Sequence, residues 1–119
     1  MPLPELTSLT TGDYLKSWLS QVRGRVRGRT YQGYAGLLRR YAIPLLGEVP
    51  LKDLHPLHLQ HPYGALLEEG AGRYRDQLSA STVLNLHRVL VQSLGWAERF
   101  GLLERSPAKA ARPPRPRRA

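Results

Sequence analysis

The stretch from Ser79 to Gly101 constrains the fold more than any other part of the chain. Its apolar residues recur at steps of three and four, a spacing that places side chains on one face of an α-helix. These residues are Val83, Leu86, Leu90, Leu94 and Ala97. We predict a helix of roughly twenty residues, capped by Ser79 or Ser81 and ended by Gly101. The polar residues of the opposite face are Ser81, Asn85, Arg88, Gln92 and Arg99.

Two segments nearer the start of the chain have a similar periodicity. The first helix is predicted to begin at Thr10 or Thr11, with Asp13 favourable in its first turn. Its apolar face consists of Leu15, Trp18, Leu19 and Val22. A second helix is predicted after an N-cap at Thr30, with Pro44 ending or kinking it and Gly47 as its stop. Its apolar stripe consists of Tyr31, Tyr34, Leu38, Tyr41 and Leu45.

The segment between the second predicted helix and Ser79 is less regular. We predict a broken or kinked helix over residues 56–69, because Pro62 and Gly64 interrupt the pattern, and Gly70 follows it. No segment alternates apolar and polar residues as a half-buried strand does. The sequence therefore predicts an all-α fold with four helices.

The net charge of the chain indicates the kind of partner. Eighteen Lys and Arg residues against nine acids give +9 and a pI near 10.7, a balance that favours an acidic partner, most often nucleic acid. The charge is concentrated in residues 23–40 and 106–119. Gly24 and Gly28 oppose a helix through the start of the first cluster, so the arginines of residues 23–29 should form a short loop that leads into a helix. The second cluster is rich in proline and arginine, has nothing to bury, and is predicted to be a basic linker or tail.

Several other classes of function find no support in the sequence. There is no cysteine, no signal peptide at the start and no apolar run of membrane-spanning length, which fits a cytoplasmic protein without a membrane partner. His55, His58 and His61 are spaced by three, but Pro62 disrupts their geometry and no cysteine or nearby carboxylate completes a metal site. We find no catalytic constellation and no cofactor motif.

The order of several short motifs resembles the core-binding domain of phage-integrase-type tyrosine recombinases. The similarity extends from about Thr10 to Pro107. The motifs that carry it are "TTGDYLKSWL" at 10–19, the Thr30–Tyr34 spacing, "IPLLGEVPLKDL" at 43–54, "LSASTV" at 78–83 and "GLLERSP" at 101–107. The sequence departs from the family at Pro62 and Gly64, in a helix that is usually continuous, and at Ser106, where the family commonly has Asn.

The resemblance implies a SAM-like four-helix bundle that forms one half of a clamp on duplex DNA, with two helices facing the major groove. A linker then leads to a separate catalytic domain, whose motifs do not occur in this chain. The implied division is a lead-in over 1–9, the core-binding domain over 10–107 and a basic linker over 108–119. The chain itself is then not an enzyme. Its implied partners are double-stranded DNA, the catalytic domain of the same recombinase and other recombinase protomers.

The resemblance also selects candidate DNA-binding residues. Asn and Gln can pair with an adenine edge, and Arg can pair with guanine or phosphate, although a solvated helix face would have the same residues. The candidates are Arg25, Arg27, Arg29, Thr30, Gln32, Arg39, Arg40, Ser81, Thr82, Asn85, Arg88 and Gln92. Arg25, Arg27 and the tail arginines are expected to contact phosphates.

Two alternative functions remain open at this point. One is an autonomous basic RNA-binding helical bundle, and the other is a protein-interaction bundle whose charge is incidental. A competition experiment between duplex DNA and single-stranded RNA distinguishes the first alternative from the hypothesis of a recombinase domain.

Overall fold

The structure, a computed structural model, describes residues 9–68 and 79–114. Most of these residues belong to four helices, numbered here in chain order. They are α1 at Thr11–Val22, α2 from Gly28 to Leu46, α3 at Pro56–Glu68 and α4 at Ala80–Arg99. Helix α2 consists of Gly28–Leu37, a wider turn at Leu38–Ala42 and a last turn at Ile43–Leu46. Short 3-10 turns lie at Leu51–Asp53 and Pro107–Lys109, and the described residues include no strand. The predicted all-α, four-helix class is confirmed.

Helix α1 forms as its sequence predicts. The hydroxyl of Thr10 accepts a hydrogen bond from the backbone N–H of Asp13 at 3.1 Å, so Thr10 is the N-cap. The predicted apolar face is buried, together with Tyr14. The Tyr14 hydroxyl donates to the Ser93 carbonyl oxygen at 2.6 Å, which ties α1 to the middle of α4.

Helix α4 also has the predicted ends and buried face. Ser79 is the N-cap, since its hydroxyl accepts from the backbone N–H of Thr82 at 3.1 Å. All five residues of the predicted apolar stripe are buried. At the other end Gly101 has a φ of +80°, and the N–H of Leu102 donates to the Ala97 carbonyl at 2.9 Å. Glycine tolerates this left-handed conformation, and the bond closes a Schellman motif that ends the helix.

The start of α2 differs from the prediction. The helix begins at Gly28, with Arg27 in an extended conformation as its N-cap. Thr30 is therefore not the cap but a residue of the first helical turn. The Arg27 carbonyl accepts the first helical hydrogen bond from the N–H of Tyr31 at 2.9 Å, and no side chain caps this end. The loop consequently covers residues 23–27 only, and Arg29 belongs to the helix.

The buried face of α2 changes phase after Leu38. The N–H of Ile43 bonds to the Leu38 carbonyl, five residues back, which is the wider spacing of a π-type turn. Each such turn shifts the register of the side chains that follow. Leu38 is buried as predicted, but Ala42 and Leu46 then face the core, whereas Leu45 is 44% exposed. The stripe predicted with ordinary helical spacing is therefore wrong at Leu45, whereas Tyr41 is partly buried and packs against the core.

Pro44 does not end α2, which continues to Leu46 before Gly47. A proline within a helix removes one hydrogen bond and crowds the carbonyl four residues earlier. The wide turn at Leu38–Ala42 ends two residues before Pro44 and contains Arg40, whose carbonyl the proline ring would otherwise crowd. Gly47 then follows the last helical residue, as predicted, although its φ of −60° is that of an ordinary right-handed helix.

Helix α3 is continuous through Pro62 and Gly64, so the predicted break is wrong, while the alternative of a kink at Pro62 stays a prediction. Buried side chains lie on both sides of Pro62, with Leu59 before it and Tyr63 and Leu66 after it. Burial of a large apolar side chain is worth about 1.5–3 kcal/mol. Three such side chains are enough to offset the roughly 3 kcal/mol cost of one internal proline. Gly70, expected to follow the helix, lies outside the described residues, as does residue 69.

The chain after α4 packs against the bundle, contrary to the expectation that it has nothing to bury. Ala108 and Ala111 are 1% and 6% exposed. The side-chain amide of Gln60 on α3 donates to the carbonyl of Arg112 at 2.8 Å and accepts from its N–H at 2.7 Å. Small side chains and one amide pair thus hold the segment. The packed structure extends past Pro107 at least to Ala111.

Candidate nucleic-acid interface

Helices α2 and α4 pack side by side and leave a groove of about 340 Å³ between them. It is lined by Thr30, Gly33, Tyr34 and Leu37 of α2 and by Asn85, Arg88, Val89 and Gln92 of α4. Four predicted site residues therefore meet here, one from α2 and three from α4. We call this the α2–α4 groove.

Aromatic side chains support the groove from below. The Tyr34 hydroxyl donates to Oε1 of Gln92 at 3.1 Å, which links the two helices across the groove. The Tyr34 ring lies on Trp18 of α1, with ring centroids 5.6 Å apart. Trp18 is only 1% exposed. The orientation of Gln92 is therefore set by a chain of contacts that begins in the core.

The candidates on α4 fall into two groups, four on the exposed surface and one in the helix cap. Ser81, Asn85, Arg88 and Gln92 are exposed and follow one another at steps of four, three and four, so they form one surface. Thr82 is half-buried, and its hydroxyl lies 3.0 Å from that of Ser79. Thr82 thus takes part in the helix cap, and its hydroxyl is engaged there.

The candidates on α2 do not share one face. Successive residues of a helix are about 100° apart, so Thr30 and Gln32 point in directions roughly 160° apart and cannot both face the groove. Arg39 lines a separate cleft of about 450 Å³ between α1 and α2, together with Lys16 and Tyr31. Arg29, Gln32 and Arg40 are exposed but are not part of the groove lining.

Two of the loop arginines are held by aromatic rings of α2 and α4. The Arg25 guanidinium lies over the Trp96 ring at 5.4 Å from its centroid, and that of Arg23 lies over Tyr31 at 5.6 Å. Both distances fall within cation–π range. Arg27 is exposed at the start of α2. Residues 23–27 therefore form a short loop, as the glycine pattern predicted, and we call it the arginine loop. The rings that Arg23 and Arg25 contact give their charges defined positions.

Few of these positive charges are neutralised within the protein. The ion pair found in the described part of the chain joins Lys109 to Glu98 at 2.8 Å. The Lys109 ammonium and the backbone N–H of Ser106 both donate to the Glu98 carboxylate and lower its pKa. No carboxylate lies within ion-pair distance of the arginines of the loop and the groove, as far as the described residues go. The electrostatic field of these arginines therefore extends into the solvent.

Sequence reasoning missed the aromatic residues around these arginines. Trp96 continues the exposed face of α4 one turn beyond Gln92, and Phe100 follows it with 61% of its surface exposed. The step of four from Gln92 to Trp96 was visible in the sequence. The position of Arg25 over that ring was not, because it depends on how the loop folds back.

The histidines at 55, 58 and 61 are not arranged around a common point. Nδ1 of His55 accepts from the N–H of Leu57 at 3.1 Å, and Nδ1 of His58 accepts from the N–H of His55 at 2.9 Å. Two of the three rings thus cap the start of α3. Across residues 9–68 and 79–114, no cluster of three or more metal-ligating side chains is found. Over the same residues, no helix has the length and hydrophobicity needed to span a bilayer.

Comparison with known proteins agrees with this architecture. The family model for the phage integrase N-terminal SAM-like domain matches residues 10–67. A phage integrase SAM-like domain from Moorella thermoacetica, solved by NMR, is 35% identical; the alignment covers 97% of this chain and 92% of that one, with a TM-score of 0.74. The integrase-like domain from Bacillus cereus, also solved by NMR, is 28% identical over 92% of this chain and 86% of its own, with a TM-score of 0.73. No curated protein matches significantly. The chain therefore belongs to the family of phage integrase SAM-like domains.

Proposed function

We propose that this domain binds duplex DNA and serves as the site-recognition and clamping module of a site-specific tyrosine recombinase. The observation that carries the proposal is the convergence of Thr30, Asn85, Arg88 and Gln92 from two helices on one groove. Side chains of these types can contact base edges and phosphates. Family membership supports the same function, and the catalytic steps are assigned to another domain of the parent recombinase.

Two sets of side chains have different roles in this proposal. Arg25 and Arg27 belong to the arginine loop, so they contact phosphates and position the domain without reading sequence. Asn85 and Arg88 project from α4, a helix fixed along its whole buried face, and they contact base edges. A rigid helix is suited to this role because base readout requires defined hydrogen-bond geometry.

Titration on duplex DNA tests this division. A preferred site is first enriched from a pool of random duplexes, and binding is then compared on that site and on a scrambled duplex. Arg25→Ala with Arg27→Ala should weaken binding about equally on both and lower the salt slope by up to about one unit per contact. Asn85→Ala or Arg88→Ala should cost roughly 1–3 kcal/mol on the preferred site and less on the scrambled one.

Arg105→Ala is the matched control for Arg88→Ala, since it also removes one positive charge, from an exposed position after α4. It should leave the preference between the two duplexes unchanged. Wild-type affinity should fall steeply with salt because binding releases counterions. For an isolated half-clamp we expect a Kd on the order of micromolar. A flat salt response, or equal ratios of preferred to scrambled binding for loop and helix variants, contradicts the proposal. Stronger competition by single-stranded RNA than by duplex DNA would instead support an RNA-binding bundle.

The proposal also predicts no strand cleavage by this chain. A nucleophile for phosphoryl transfer needs an adjacent base or cationic cluster that activates it, and we assign no such group to the described residues. Incubation with nicked duplexes, followed by a denaturing gel, tests this point. A covalent protein–DNA adduct would contradict the assignment of catalysis to another domain.

A further inference from the structure

The C-terminal end of α4 has a second feature of nucleic-acid chemistry beyond the α2–α4 groove. A cleft of about 320 Å³ is lined by Arg25, Trp96, Arg99 and Phe100. Two of these side chains are aromatic and two are cationic. We call this the Trp96–Phe100 cleft.

The aromatic rings of the cleft are held in defined positions. Trp96 packs edge-to-face on the buried ring of Trp18, with centroids 5.9 Å apart and planes at 82°. Phe100 packs edge-to-face on Trp96, at 6.0 Å and 86°. Edge-to-face pairs of this kind add to the stability of the arrangement. Because Phe100 contacts Trp96 through such a pair and is 61% exposed, much of its surface is open to a ligand.

The charge of the cleft points to an anionic ligand. The Arg25 guanidinium lies over Trp96, and Arg99 is exposed next to Phe100 in the chain. Glu98, the nearest acid in sequence, is bonded to Lys109 and to the N–H of Ser106 instead. Among the residues that the structure describes, no acidic side chain lines the cleft.

The cleft continues the surface proposed to contact DNA. Along α4, Gln92, the half-buried Trp96 and Arg99 follow one another at steps of four and three, which keeps them on one side of the helix. At about 1.5 Å per residue, Arg99 lies roughly 10 Å beyond Gln92 along the helix axis. A nucleic-acid strand leaving the groove along α4 would reach the cleft after a few nucleotides.

We propose that the Trp96–Phe100 cleft binds an unpaired nucleotide, with its base stacked on Phe100 and its phosphate between Arg25 and Arg99. Aromatic rings beside cationic side chains are the usual platform for single-stranded nucleic acid. A stable protein interface involves roughly 20–30 residues on each partner, whereas the four residues that line this cleft include one strongly exposed apolar side chain, Phe100. The residues of the cleft carry the inference by themselves; only the argument from its position beside the α2–α4 groove rests on the proposed function.

Tryptophan fluorescence measures this binding directly. Trp18 is 1% exposed while Trp96 is half-buried, so a base stacked beside Trp96 should quench its emission. We expect saturable quenching by a short oligothymidylate at low salt. Phe100→Ala should weaken that binding by about five- to 150-fold, and Phe100→Tyr should restore it. Leu57→Ala is the matched control because Leu57 is 67% exposed on a different helix, and it should change nothing.

Three comparisons would overturn the proposal. The first is oligothymidylate binding that does not change in Phe100→Ala. The second is a blunt duplex of the same length that quenches with the same Phe100 dependence, because stacking on Phe100 requires an unpaired base. The third is a polyglutamate peptide that binds with this dependence, which would make the cleft a site for acidic protein segments. Phe100-dependent binding of oligothymidylate without any duplex binding would support this inference while refuting the proposed function.

Discussion

The buried contact between Tyr63 and His87 makes the stability of the domain depend on pH. The Tyr63 hydroxyl lies 2.9 Å from Nδ1 of His87, and the two rings pack edge-to-face at 5.6 Å. Tyr63 is 2% exposed and His87 is 9% exposed. This contact joins α3 to α4, so a change at either residue should be detected in the unfolding of the whole bundle.

The magnitude of the contact follows from the burial of both partners. Tyr63→Phe leaves a buried ring nitrogen without its hydrogen-bond partner, which costs about 1–3 kcal/mol. For a chain of 119 residues, each kcal/mol lowers the Tm by roughly 4 °C. Replacing both residues, as in Tyr63→Phe with His87→Leu, removes both polar groups. The double variant should therefore recover much of the stability that the single variant loses.

The sign of the pH dependence comes from desolvation. Burial lowers the pKa of His87 in the folded state, because a charged imidazolium loses its hydration. Below about pH 6.5, the ordinary histidine value, the unfolded chain binds a proton that the folded chain excludes. The free energy of unfolding is therefore fully retained above that pH and falls as the pH is lowered toward the folded-state pKa. One unit of pKa difference is worth about 1.4 kcal/mol.

Urea unfolding at pH 7.5 and pH 5.5, followed by circular dichroism, measures both effects. Wild type should lose more unfolding free energy between these pH values than His87→Leu. Comparing wild type with His87→Leu cancels the contributions of the other histidines. Glu98 does not interfere, because its pKa is lowered and it titrates below pH 5.5. Equal losses in the two proteins would refute the desolvation argument. A Tyr63→Phe variant as stable as wild type at pH 7.5 would refute the hydrogen bond.

Two further predictions concern packing. Leu86→Ala, on the buried stripe of α4, should lower the free energy of unfolding by about 2–5 kcal/mol. Val91→Ala is its control and should cost far less, because Val91 is 42% exposed on the same helix. Thermal melts compare the two variants, and equal losses of stability would contradict the burial pattern. Gly12→Ala would place its Cβ 2.9 Å from the Cα of Gly47, a backbone atom that cannot move aside alone, so a loss of about 1–3 kcal/mol is expected in urea unfolding. Gly33→Ala is its control, since a Cβ at Gly33 meets open space. That substitution should stabilise α2 by up to about 1 kcal/mol. A Gly12→Ala variant as stable as Gly33→Ala would refute the close approach of Gly12 to Gly47.

The sequence alone determined the features that depend on local interactions. The N-caps of α1 and α4 and the left-handed Gly101 each involve neighbours within a few residues. Residue type therefore narrowed each cap to two candidates, of which the structure has Thr10 and Ser79. The buried stripe of α4 is similarly local, because a regular helix converts sequence spacing directly into a face. The same regularity made the exposed residues of α4 predictable as one surface.

The tertiary structure decided where local rules conflict with packing. Helix α3 continues through Pro62 because buried side chains on both sides outweigh one lost hydrogen bond. The wide turn in α2 replaces the expected Leu45 by Leu46 in the core, a shift that constant helical spacing cannot anticipate.

The candidate binding surfaces also required the tertiary structure. Residue types identified Asn85, Arg88 and Gln92 in advance, but the meeting of Thr30 with them and the position of Arg25 on Trp96 depend on contacts between distant parts of the chain. The same is true of the link from Gln60 to Arg112. Such contacts are set by the docking of whole helices, which depends on the complete buried surface and not on any single stretch of sequence.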